Sequence, residues 1–66
     1  MIPDLDIYRA AKLLTDQHGE DASLRAAERA DVLLKEGDVE GSAVWRAIGA
    51  AIAELQRERL PGERVN

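Results

Sequence analysis

The chain has 66 residues, 13 acidic and 9 basic, with a formal net charge of −4, 45% hydrophobic residues, one histidine and no cysteine. That composition allows one small domain near the lower size limit for unaided folding, and it excludes disulfides, thiolate metal sites and a two-histidine metal centre. An acidic balance opposes broad phosphate binding. No run approaches the roughly 18 apolar residues of a membrane span, and Met1 to Asp6 lacks the basic start and apolar core of a signal peptide, so a cytoplasmic protein without membrane contact is expected.

Glycine and proline divide the sequence. Gly19, Gly37 and the Pro61-Gly62 pair each follow about one helix length of helix-forming residues, and no stretch alternates apolar and polar residues over strand length. The expected fold is all-α, a small three-helix antiparallel bundle in up-down-up order. A single domain over residues 1–60 would hold helices at about 5–18, 21–36 and 39–60, followed by a frayed tail over 61–66.

Helix 1 begins near Asp4 or Asp6, either of which can accept hydrogen bonds from first-turn amides, and ends at His18 with Gly19 in the left-handed cap. Ile7, Ala10, Ala11, Leu14 and His18 form its apolar stripe, flanked by Leu13 and Tyr8. Helix 2 begins at Glu20 or Asp21 and ends before Gly37. Its stripe is Leu24, Ala26, Ala27, Ala30, Leu33 and Leu34, and so many alanines predict close packing against both other helices. Asp31 lies at the edge of that arc with Lys35 at i+4, while Val32 is an apolar residue on the polar side.

Helix 3 is capped by Asp38 and stopped by Pro61. Gly41 falls in its first turn at a cost of about 1 kcal/mol relative to alanine, so a start at Ser42 is an alternative. The main stripe is Val44, Ile48, Ala51, Ile52 and Leu55, with Trp45 on its border.

Chemistry is thinly represented. His18 is the one histidine, the residue type most often used for acid–base chemistry near neutral pH, and Asp16, Glu20 and Asp21 are close to it in sequence, but three short helices enclose little volume and no activated nucleophile accompanies it. A histidine in the last turn favours the negative helix end, and this structural role is the preferred reading. Asp31 reads as a structural ion pair or hydrogen bond rather than a functional carboxylate. Arg46 and Arg57 lie outward on helix 3, but Glu54, Glu58 and Glu63 are interleaved with the C-terminal arginines, and each helical segment is net negative. No catalytic, cofactor-binding or metal-ligating residue is assigned.

Residues 43–53 are the most informative, because Arg46 is the only polar residue among them. A helix apolar nearly all round either exposes alanines cheaply or receives a partner. Trp45, the only tryptophan, suits both a core-capping and an interface role, and Tyr8 lies on a comparable flank. The candidate interface is Tyr8, Trp45, Ala47, Gly49, Ala50 and Ala53.

The run Ile2 to Ala11, His18-Gly19, Gly37 to Gly41, Val44-Trp45, and Ala51-Ile52 with Glu54-Leu55 resembles a family of short proteins found mostly in alphaproteobacteria, a domain of unknown function. The resemblance covers nearly the whole chain. It implies an independent small bacterial protein and carries no activity or site residues. The expected function is therefore that of a non-catalytic helical module binding another protein or itself, with a homodimer as one form. A small nucleic-acid-associated regulator is the alternative, and an enzyme using His18 ranks below both.

Overall fold

The computed structural model describes residues 4–58, which form α1 (Asp4–His18), a 3₁₀ turn (Gly19–Asp21), α2 (Ala22–Lys35) and α3 (Val39–Glu58), with no strand among the described residues. The described residues are thus helical apart from one short connection, with three α-helices among them. α1 is already helical at Asp4, the first described residue, and α3 begins at Val39, directly after Asp38. The beginning expected for α2 instead becomes the 3₁₀ turn, so α2 proper starts at Ala22. The end expected for α3 near residue 60 and the expected tail over 61–66 lie outside the described residues.

The two short connections follow from local chemistry. Gly19 takes φ +60° and Gly37 φ +90°, the left-handed region that side chains with a Cβ rarely adopt. At Gly37 the amide donates to the Leu34 carbonyl at 3.0 Å and the next amide, of Asp38, donates to the Leu33 carbonyl at 2.8 Å. These two bonds are the Schellman ending of a helix and satisfy carbonyls that α2 leaves free. Asp38 then caps α3, its Oδ1 accepting from the Gly41 amide at 2.8 Å and its carbonyl accepting from the Ser42 amide at 3.0 Å. Gly41 is explained by the same cap: a Cβ there would stand 2.8 Å from the Asp38 Cγ, inside the space the carboxylate uses.

α2 and α3 form an antiparallel pair whose register can be read at three heights. Leu34 shares a hollow with Ser42 and Ala43, a Cβ on Gly49 would stand 3.6 Å from the Ala26 Cβ, and Gln56 Nε2 donates to the Gly19 carbonyl at 2.8 Å. As the position falls along one element it rises by the same amount along the other. α1 packs chiefly on α3 and only slightly on α2.

The core is built mainly of small residues. Ala11, Ala22, Ala26, Ala30 and Ala51 are buried with Ile48 and Ile52, and Ile52 is the largest side chain completely enclosed. Ala22, Ala26 and Ala30 are spaced four apart and form a ridge that lets α3 approach closely. Ile7, Ala10, Leu14, Val44, Trp45 and Leu55 pack around this centre half-buried. Two polar side chains are enclosed as well: Thr15, whose hydroxyl donates to the Ala11 carbonyl at 2.8 Å, and Ser42.

Several sequence expectations are corrected by this packing. Leu24, Ala27 and Leu34, read as part of the buried stripe of α2, are exposed, and His18 is exposed at the end of the α1 stripe. The reason is that α2 turns its alanine ridge inward, where Ala22 and Ala26 share one core with Ala11 of α1 and Ile48 and Ile52 of α3, and this leaves the leucine side of α2 outward. α2 meets both other helices, as expected, but far more extensively α3 than α1. Asp31 is exposed, and it forms no ion pair with Lys35; among the described residues the pair within 4 Å is Arg57 with Glu54 at 3.4 Å, itself exposed.

Candidate interaction surface

Apolar side chains crowd the exterior. Among the described residues Leu5, Tyr8, Leu13, Leu24, Val32, Leu34 and Val39 are exposed, Leu24 at 57% and Val39 at 66%. Isolated exposed leucines are ordinary, but here the large residues outside outnumber the fully buried ones, and some of them cluster.

The first cluster lies between α1 and α3. Ile7, Tyr8, Ala47, Ala50, Ala51 and Glu54 line an open hollow of about 340 Å³. It forms because α3 offers only alanine at three of these positions, so the Tyr8 ring, 48% exposed, overlooks a surface without side chains large enough to meet it. Tyr8, Ala47 and Ala50 of the sequence-derived candidates are therefore brought together. Trp45 is half-buried against the core cluster, on the side of α3 turned from this hollow. Gly49 faces Ala26 in the α2–α3 contact, and Ala53 is exposed on the outer side of α3.

A second cluster was missed by sequence reasoning. Leu34, Val39, Ser42, Ala43 and Arg46 line a hollow of about 300 Å³ at the α2–α3 junction. Along α2 the exposed residues Leu24, Ala27, Asp31 and Leu34 continue the same face at spacings of three, four and three. The available signal was Asp31 itself: a carboxylate flanked by leucines marks a face that is open before it meets anything else.

Neither cluster holds a reactive constellation. His18 is exposed, and among the described residues no three His, Asp or Glu side chains gather to hold a metal ion. Arg57, outward on α3, is paired with Glu54 at 3.4 Å. The two hollows can exclude water from an apolar partner, and that is the chemistry they support. No helix of the described residues is long and apolar enough to cross a membrane. Comparison with known proteins finds no matching family model, no matching curated protein and no matching solved structure.

Proposed function

We propose that the chain is a non-catalytic helical interaction module, an up-down-up bundle that works by covering its exposed apolar faces with another protein or with a second copy of itself. One observation carries the reading: large aliphatic side chains stand outside while alanines fill the core. Burial of apolar area contributes about 25 cal/mol per Å², so a chain that leaves leucines in water retains binding free energy for a partner. The interface candidates Tyr8, Ala47 and Ala50 around their hollow, and Trp45 beside the core, are surfaces on which that energy is available.

The test is site-specific photo-crosslinking in cells of the source organism, with a crosslinking amino acid placed at Tyr8, at Leu34 and, as a polar control, at Glu28. Discrete adducts from Tyr8 or Leu34 exceeding those from Glu28 support the reading. Equal background at all three positions overturns it.

A further inference from the structure

We infer that a second copy of this chain covers the face formed jointly by α2 and α3, with Asp31 of each copy meeting the partner's Arg46. The inference deepens the interaction-module reading and rests on it. Leu24, Leu34, Val39 and Ala43 supply an apolar surface there, all of them exposed, and Leu34, Val39 and Ala43 border the hollow at the helix junction. Asp31 on α2 and Arg46 on α3 are exposed charges within this surface, and Lys35, also exposed, borders it beside Leu34.

The register places these charges at nearly one height. The pairs Ala26 with Gly49 and Gly19 with Gln56 set Arg46 opposite Arg29 and Ala30 of α2. Asp31 is thus displaced from that level by one or two residues, or about 2–3 Å at 1.5 Å per residue. The two groups are not paired within one molecule, since their ion pair is absent among the described residues.

Symmetry then selects an arrangement. A twofold axis parallel to the helices lays α2 of one copy over α3 of the other at unchanged height, so Asp31 meets the partner's Arg46 and the reciprocal pair forms as well. An axis across the helices lays α2 on α2, which brings carboxylate to carboxylate and guanidinium to guanidinium or leaves both unpaired. Charge complementarity therefore names both the occupant and its orientation, because one face that carries both halves of an ion pair at one level is complementary to itself. An aspartate in a leucine seam also fixes register, the best-attested use of a polar group at such a position.

Sedimentation velocity on the full chain tests this. The wild type is expected to dimerise. Asp31→Arg and Arg46→Asp should each weaken the dimer about a hundredfold or more by setting like charges together twice, and the combined swap should return the affinity to within about tenfold. Both positions are exposed, and circular dichroism verifies that every variant keeps its helix content. Tyr8→Ala should leave the dimer intact, which separates this face from the hollow beside α1.

A wild type that stays monomeric up to about 1 mM overturns the inference, as does a combined swap no tighter than either single variant. A monomeric chain that still gives adducts at Tyr8 or Leu34 overturns self-pairing and leaves the interaction module standing. A monomer without adducts removes both.

Discussion

Gly41→Ala and Gly49→Ala make the same chemical change on one helix, and the structure assigns them different outcomes. Replacing an interior helix glycine by alanine gains about 1 kcal/mol, because the backbone loses less freedom on folding. At Gly49 the added methyl stands 3.6 Å from the Ala26 Cβ, an ordinary contact, so the whole gain of about 1 kcal/mol should appear. At Gly41 the methyl would enter the space of the Asp38 carboxylate, which must leave its hydrogen bond to the Gly41 amide. Loss of an aspartate cap costs about 1 kcal/mol, so the two effects cancel and Gly41→Ala should leave stability within about 0.5 kcal/mol of wild type. Once Asp38→Ala has removed the carboxylate, Gly41→Ala should stabilise by about 1 kcal/mol, a coupling of the same size. Urea unfolding followed by circular dichroism, with all variants at one protein concentration, measures all five proteins. Equal stabilisation at both glycines in the wild-type background, or a coupling near zero, would refute the account of the cap. Destabilisation by Gly49→Ala would refute the helix separation.

Three further changes follow from the packing. Ile52→Ala removes the largest fully enclosed side chain and should cost about 2–5 kcal/mol in the same urea assay, enough to unfold much of so small a domain. Gly37→Ala forces a Cβ into φ +90° and should cost about 1–2 kcal/mol, read as a lower thermal midpoint, although space around the position is open. Thr15→Val deletes a buried hydroxyl that shares the Ala11 carbonyl with the helix backbone, so unfolding free energy should stay within about 1 kcal/mol of wild type, whereas a loss well beyond that would show the hydroxyl to be structurally required.

The breaks after α1 and between α2 and α3 were legible because they depend on single residues with local effects, whereas the 3₁₀ turn that opens α2 was not. Gly19, Gly37 and Asp38 act through their own backbone or side chain, and the structure uses each as its chemistry suggests. The stripes of α1 and α3 were largely legible for a related reason: in each, the large aliphatic residues fall on one arc, and only His18 at the end of the α1 stripe is left exposed. α2 has two such arcs. Ala22, Ala26 and Ala30 form one ridge and Leu24, Ala27 and Leu34 another, and hydrophobicity alone favours the leucines. Closeness of approach decides for the alanines, a property of the pair of helices that does not reside in either sequence segment. The same limit hid the second hollow, which needs Leu34 and Arg46 from different helices, whereas Tyr8 and the α3 alanines were each conspicuous alone.

Asp38 closes α2 through its amide and opens α3 through its carboxylate and carbonyl, so no residue between the helices is spare. Surface connections usually accept added residues, but this one measures out the chain. One inserted residue would turn α3 by about 100° relative to α2 and swing Ile48 and Ile52 away from the alanine ridge. The span from Leu33 to Ser42 thus behaves as a fixed hinge pin between the helices, intolerant of a change in length.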